Sequence, residues 1–270
     1  MRYVAPTRAA FDRSVLALPP LSAWSAFRHL VAGDAWPAIS DLNALLPPGS
    51  DVSFATQDKA LLDDALHYEE RIARRGAIAT RPDNWHDLFN ALVWLRYGAL
   101  KRALNARQVG EIALMGPRER SRAQCALTHF DEAGIIVRLS DADMLAAWDA
   151  HDWHGLFWTH RDAWLSGRAR AEVFGHALLE YALTPGGLIV GKALVVMGEG
   201  DDDAAAICAD AIRRGEVLND PQELRPLPVS GVPGWNARTP YESFYTEAPC
   251  FQPLRAGRRY PPPLGIHARP

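Results

Sequence analysis

The chain has 270 residues, of which 48% are hydrophobic and 23% charged, and its formal net charge is −3. This balance is typical of a globular protein with a sizeable core. Because no basic excess is present to neutralise phosphates, the composition argues against a nucleic-acid-binding protein.

Cysteine usage and the length of the apolar runs indicate a cytoplasmic protein without a membrane partner. Cys125, Cys208 and Cys250 form no CxxC pair, which argues against a cysteine zinc site and against a disulfide framework. The N-terminal segment lacks the apolar core of a signal peptide. The longest apolar runs fall short of the roughly 18 residues of a membrane span.

In the first third of the chain, apolar spacing predicts helices over 22–33, 36–49 and 59–76, and a short strand over 51–56. Gly76 is predicted to cap the third helix. Residues 1–20 are expected to form an N-terminal arm that ends at Pro19-Pro20.

The remainder of the chain suggests more strands. Residues 120–141 are predicted to form two strands around a hairpin turn at Asp131-Glu132-Ala133-Gly134. Ser140 or Asp141 is expected to cap a helix over 142–150. The later predictions are a buried strand over 188–198, a helix over 201–215 beginning at Asp201-Asp202-Asp203, and an extended Pro/Gly-rich wrap from Pro221 onward.

Together these elements predict a helix-dominated α+β fold with a small, mainly antiparallel sheet. We expect a single globular domain over residues 21–255 and a flexible tail over 256–270.

The segment NWHDLFNALVWLRYGALKRALN, residues 84–105, is a strongly apolar helix that begins after Pro82. Asn84 is predicted as its N-cap. Asp87 then stands at the third helical position, near the positive end of the helix dipole. Capping alone explains these two residues without any functional role.

His86 and Asn90 of the same helix are harder to explain by capping. They lie four positions apart and therefore share one helix face, although the residues around them are apolar. Two interpretations remain open: the side chains bond backbone groups of neighbouring segments, or they line a cleft. If the helix passes through Gly98, the polar stripe continues at Tyr97, Lys101 and Asn105.

With YEERI, ALTHFDEAG and FGHALLEYAL, the NWHDLFNALVWL run resembles a bacterial family called domain of unknown function 3025, over about residues 50–255. That family has no established activity to transfer, so the resemblance only selects residues. The residues that match its motifs are Tyr68, Glu69, Asn84, Trp85, His86, Asp87, Asn90, Asn105, Phe130, Asp131, Glu132, Gly175, His176, Glu180, Gly231, Pro233, Gly234 and Trp235.

His176 and Glu180 lie at i and i+4 of one predicted helix. The spacing suits two metal ligands, a histidine oriented by a carboxylate, or an ordinary helix-stabilising pair. Together with His86 and Asp87, and with Asp131 or Glu132, the pair can form a site of two histidines and a carboxylate.

Residues 147–164 are rich in Trp and His, but they contain no HExxH motif. Trp148, Trp153 and Trp164 are simply explained as core anchors, and a surface for a partner is the alternative. Trp235 can cover a pocket or anchor the C-terminal wrap to the core.

Our first functional hypothesis is an enzyme, with metal-assisted hydrolysis of a small molecule as its reaction class and a cleft beside the helix over 84–97. The alternative is a non-enzymatic binding or regulatory protein that presents a Trp-rich surface to a protein partner. For the enzyme, the catalytic candidates are His86, Asp87, Asn90 and Asp131. The substrate-binding candidates are Tyr68, Glu69, Asn105 and Trp235, and the candidate ligands of a divalent metal are His176, Glu180 and Glu132.

Overall fold

A computed structural model describes residues 3–116, 119–198 and 203–265. Helices predominate among them, which confirms the helix-dominated α+β class. The α-helices are α1 (Arg28–Ala32), α2 (Ile39–Asn43), α3 (Lys59–Leu62), α4 (Tyr68–Arg75), α5 (Trp85–Arg96), α6 (Gly98–Met115), α7 (Arg122–Ala133), α8 (Ala142–Asp149), α9 (Arg161–Leu165), α10 (His176–Tyr181), α11 (Ala204–Arg213) and α12 (Phe244–Glu247). The strands are β1 (Ser53–Thr56), β2 (Ala77–Thr80), β3 (Gly134–Leu139), β4 (Arg170–Val173), β5 (Val190–Met197), β6 (Arg225–Pro228) and β7 (Leu264–Gly265).

Helices α5 and α6 form the apolar centre of the molecule. The side chain of Asn84 accepts a hydrogen bond from the backbone N–H of Asp87 at 3.0 Å, which confirms the predicted N-cap. Phe89 and Leu92 are completely buried. The chain bends at Tyr97, whose backbone departs from helical geometry, so the polar stripe continues on α6 rather than along one straight helix.

The main sheet has the strand order β4-β3-β5-β6, and β7 pairs with β5. β3 runs antiparallel to β4 but parallel to β5, and β5 runs antiparallel to β6 but parallel to β7. A separate pair, β1 and β2, is also parallel. The predicted mainly antiparallel sheet is therefore corrected to a mixed one. The segment that joins β3 to β5 contains α8, α9 and α10, and a connection of this length permits a parallel crossover where a hairpin cannot.

The predicted hairpin over residues 120–141 is wrong in its first half, because residues 122–133 form helix α7. Ser121 and Gln124 form a reciprocal capping box at its start. Ala126, Leu127 and Phe130 bury a helical face that outweighs the short-range strand pattern. Asp131 and Glu132 consequently lie in the last turn of α7, not in a β-turn.

The junction between α7 and β3 holds the start of α10 in place. The carbonyl oxygen of Gly134 accepts hydrogen bonds from the backbone N–H groups of Phe174 and Gly175, at 3.0 and 2.8 Å. Gly175 is required here, since a Cβ atom at this position would lie 2.4 Å from the backbone nitrogen of Gly134. This contact brings the first residue of α10 beside the last turn of α7.

The predicted helix over 59–76 is divided into α3 and α4, with Ala65 between them in a left-handed conformation. Gly76 caps α4 with a φ of 63°, as predicted. Asp141 caps α8, and the predicted strand over 188–198 is confirmed as β5.

The helix predicted over 201–215 is confirmed as α11, for which Asp203 is the N-cap. Asp201 and Asp202 lie outside the described residues.

Both ends of the described chain pack on the body. Phe11, Val15 and Leu16, from the predicted arm, are buried in the core. In the predicted tail, Leu264 pairs with Val196 of β5, and residues 266–270 lie outside the described part. In the residues described, no helix combines the length and the apolar character that crossing a membrane requires.

Candidate metal centre

Three helices bring two histidines and a carboxylate together. His86 comes from the first turn of α5, Glu132 from the last turn of α7, and His176 from the start of α10. The Nε2 atoms of the two histidines lie 3.0 Å apart. The nearer oxygen of Glu132 lies 3.8 Å from Nε2 of His86 and 3.4 Å from Nε2 of His176. All three ligand atoms lie within 4.8 Å of one another, and among the described residues no other group of this kind is found.

The other ring nitrogen of each histidine faces a carboxylate. Nδ1 of His86 donates to the carboxylate of Glu180 at 3.2 Å, and in the neutral ring this leaves Nε2 of His86 with a free lone pair. Nδ1 of His176 is buried without a hydrogen-bond partner in the described chain and lies 4.0 Å from the carboxylate of Asp131. This arrangement of carboxylates behind histidines is typical of metal ligands. Glu180, a predicted ligand, thus lies behind His86 rather than within the group of three.

Burial and neighbouring charges set the protonation of this group. Burial lowers the pKa of His176 to about 3, so its ring is neutral at physiological pH. The hydrogen bond to Glu180 raises the pKa of His86 above its ordinary value. Burial also raises the pKa of Glu132. A neutral imidazole is the form in which histidine binds a metal. His176 is already in this form at physiological pH.

A cavity of about 240 Å³ opens beside the three side chains. Nine of the eleven predicted site residues line this cavity, and Glu180 and Trp235 do not. The predicted site residues that line it are Tyr68, Glu69, His86, Asp87, Asn90, Asn105, Asp131, Glu132 and His176. The predicted cleft beside the helix over 84–97 is therefore present as a cavity.

A hydrogen-bonded chain crosses this cavity through Lys101. Nζ of Lys101 donates to the side-chain oxygen of Asn90 at 2.9 Å and to Asp131 at 2.6 Å. The side-chain nitrogen of Asn90 donates to the hydroxyl of Tyr68 at 3.0 Å. Burial disfavours the charged form of Asp131, but the ammonium of Lys101 outweighs this effect and the pKa of Asp131 lies below its ordinary value.

Both carboxylate oxygens of Asp87 accept hydrogen bonds from Arg81. One carboxylate oxygen accepts from the backbone N–H of Arg81 at 2.6 Å, and both oxygens accept from the Arg81 guanidinium at 2.9 Å. These contacts fix the turn that precedes α5. They give the Asp87 carboxylate a structural role through Arg81, rather than through the predicted capping box with Asn84.

Glu69 and Asn105 form a separate pair on the cavity wall. The side-chain nitrogen of Asn105 donates to the Glu69 carboxylate at 2.6 Å and to the Glu69 carbonyl at 2.9 Å. Burial raises the pKa of Glu69, and the bond from Asn105 offsets part of this rise.

Trp235 does not join this group. It lies partly buried against the core and lines a second, smaller cavity between the N-terminal segment and the C-terminal wrap.

The Trp-rich segment is also separate from the cavity. Trp148, Trp153 and Trp164 are buried, and each indole N–H donates to a backbone carbonyl. These three residues are core anchors, whereas Trp158 of the same segment is only partly buried.

Sequence reasoning placed Lys101 on the polar stripe but assigned it no role, and it did not select Arg81. The four-residue spacing from Tyr97 through Lys101 to Asn105 was the available signal for Lys101. No local pattern marks Arg81, because its partner Asp87 is joined to it through a turn rather than along one helix.

Comparison with known proteins places the chain in a family. A family model described as "Protein of unknown function (DUF3025)" matches residues 52–255. The chain belongs to this family. The DUF3025 region spans all three helices that carry His86, Glu132 and His176. No curated protein matches the chain, and no solved structure matches it.

Proposed function

We propose that this DUF3025 protein holds one divalent metal ion through His86, Glu132 and His176, and that it hydrolyses a small polar substrate in the adjoining cavity. The observation that supports the proposal is the convergence of three ligand atoms within 4.8 Å on the cavity wall.

The separations suit a metal site. Tetrahedral zinc with bonds of about 2.0–2.2 Å places neighbouring ligand atoms about 3.3–3.6 Å apart. The three separations of 3.0, 3.4 and 3.8 Å bracket that value. Two histidines and one carboxylate leave coordination positions for water or substrate, as catalytic zinc sites do.

The chemistry that such an ion supplies is activation of water, whose pKa falls to about 7, and polarisation of a substrate carbonyl. Glu180 holds the ring of His86 by its Nδ1 atom and keeps Nε2 available for binding. Asp131 faces Nδ1 of His176 and is itself held by Lys101. Asn90 and Tyr68 extend this network and keep Lys101 in position.

The first test is the metal content of the purified, tag-free protein, measured by elemental mass spectrometry. We expect near-stoichiometric zinc or manganese in the wild-type protein and its loss in His86→Ala and His176→Ala. His154→Ala is the matched control, because His154 pairs with Glu242 away from the cavity. A wild-type protein that takes up no ion after reloading contradicts the proposal. Iron as the sole bound ion contradicts the hydrolytic part, since oxygenases hold iron with the same donor set.

The second test is a hydrolase screen with small ester and amide substrates on the metal-loaded protein. We expect an activity that chelation abolishes and reloading restores. Glu132→Gln should remove the activity and weaken metal binding. An activity that persists unchanged in Glu132→Gln would assign the hydrolysis to another site or to a contaminant.

We also propose that the protein works in the cytoplasm. Cys125, Cys208 and Cys250 are all free thiols, and Cys208 is fully buried. Unpaired cysteines are typical of a reducing compartment.

A further inference from the structure

The carboxylates of the cavity differ in their partners. Four of them line it: Glu69, Asp87, Asp131 and Glu132. Asp87 is neutralised by Arg81 and Asp131 by Lys101, each through a direct ion pair. Glu132 faces the two histidines. In the described part of the chain, Glu69 alone among the four faces neither a cationic side chain within ion-pair distance nor a histidine.

The half-buried carboxylate of Glu69 accepts few hydrogen bonds from the chain. Asn105 supplies its side-chain hydrogen bond, to one of the two oxygens. A carboxylate has about four acceptor positions, and a buried charge without a counter-ion is costly. Lys101 is engaged by Asn90 and Asp131 and therefore does not pair with it. The cavity thus keeps one acidic group without a counter-ion on the α4 side, on a different helix from the three proposed metal ligands of α5, α7 and α10.

The volume of the cavity limits the size of a ligand that could pair with the Glu69 carboxylate. Its 240 Å³ corresponds to roughly eight water molecules at about 30 Å³ each. This volume accommodates a small organic molecule. A cation on that molecule would restore the charge balance at Glu69.

We infer that the substrate of this site is a small molecule with a protonated amino group that pairs with Glu69, and with an ester or amide bond that lies beside His86, Glu132 and His176. The inference rests on the proposed function for the position of the reacting bond. The amine-binding part depends only on Glu69 and the cavity. In the hydrolysis, water adds to the carbonyl carbon, the bond to the alcohol or amine leaving group breaks, and the leaving group takes up a proton.

The test compares butylamine with butan-1-ol, a neutral molecule of similar shape, by ligand-observed NMR at pH 7. Metal-free protein is used first, because an amine can also coordinate an ion. We expect the wild-type protein to bind the amine at least tenfold more tightly than the alcohol. Glu69→Gln should remove this preference while leaving alcohol binding unchanged.

Glu70→Gln is the matched control. It removes the same charge from the neighbouring position, where Glu70 pairs with Arg74 on the outer face of α4. This variant should keep the amine preference. Circular dichroism and thermal unfolding verify that each variant is folded, and Glu69→Ala, which also removes the charge, replaces Glu69→Gln if the latter is unfolded.

The outcomes separate the two proposals. Equal binding of amine and alcohol by the folded wild-type protein, or an amine preference that persists in Glu69→Gln, overturns the inference. A Glu69-dependent amine preference supports the inference. If the protein shows this preference but binds no metal, the proposed metal centre is wrong and the amine-binding pocket is still supported.

Discussion

The contacts of the His86 side chain, rather than its position on the helix, indicate which of several roles it can have. A polar residue in the first turn of a buried helix can be a cap, a structural hydrogen-bonding group or a ligand. Glu180 accepts a hydrogen bond from Nδ1 of His86, and Nε2 of His86 lies 3.0 Å from Nε2 of His176. These two contacts favour the ligand interpretation, and both come from residues about ninety positions away in the chain.

Lys101 is expected to be the residue on which the polar network depends most. It is 4% exposed, and replacing it with Met leaves Asp131 without its counter-ion. We expect Lys101→Met to lower the free energy of unfolding by about 3 kcal/mol, measured by urea denaturation. Asp131→Asn in the same chain should restore part of the loss, and Lys59→Met, at an exposed lysine, should change it little. Equal effects of Lys101→Met and Lys59→Met would show that the network does not stabilise the fold.

Asp64 provides a prediction of how stability depends on pH. Hydrogen bonds from Arg71 lower the pKa of Asp64 to about 2, and both side chains are nearly buried. Because the folded-state pKa is depressed, the stabilisation is complete above the ordinary value of 3.8 and is lost as pH falls towards 2. Asp64→Asn should therefore be less stable than wild type at pH 7, and the difference should shrink between pH 4 and pH 2.

This pH effect is measured by urea denaturation at each pH, with the exposed neighbour Asp63→Asn as control. A difference between wild type and Asp64→Asn that stays constant down to pH 2 contradicts the role of the ion pair.

At the scale of elements, helix α7 shows why a local pattern was misread. The apolar residues around Asp131 and Gly134 alternate closely enough to suggest strands, and the Asp-Glu-Ala-Gly segment has turn chemistry. The competing signal was the Ser121-x-x-Gln124 capping box, followed by apolar residues at helical spacing. The helix places Asp131 and Glu132 on consecutive positions of its final turn, from which both reach His176.

The close contact between Gly175 and Gly134 that positions α10 can be tested by adding one methyl group at Gly175. Gly175→Ala would place Cβ 2.4 Å from the backbone nitrogen of Gly134, and backbone atoms cannot yield as a flexible side chain does. We expect a loss of about 1–3 kcal/mol in the free energy of unfolding, as for other overpacked sites, and weaker metal binding because His176 moves.

Gly110→Ala is the control for this change, since a Cβ atom in that part of α6 meets nothing within 4 Å. It should be neutral, or stabilising by up to about 1 kcal/mol. If Gly175→Ala binds metal as wild type does, the position of α10 does not depend on this contact.

At the scale of the whole molecule, the candidate centre ties together three helices that are distant in sequence. An ion held only by the folded chain stabilises the fold, since the unfolded chain does not bring the three ligands together. At an ion concentration 100-fold above Kd the gain is about 2.7 kcal/mol, which corresponds to roughly 5–10 °C in Tm for a domain of this size.

The predicted rise in Tm is measured by calorimetry with and without zinc, and a chelator should reverse it. His86→Ala should show no comparable rise, whereas His154→Ala should behave as wild type. A similar rise in His86→Ala would mean that the ion stabilises the protein from another site.

Local patterns were sufficient to predict the helix-dominated α+β class, the N-cap at Asn84 and the buried strand β5, because caps and apolar periodicity act over a few neighbouring residues. Together with the family motifs they also selected His86, Asp131, Glu132 and His176 as candidates. Only the tertiary structure decided which of these side chains meet, that the sheet is mixed, and that Trp235 is remote from the cavity. The physical reason is that long-range pairing depends on contacts such as those of the Gly134 carbonyl with the residues before His176, and no periodicity along the chain records them.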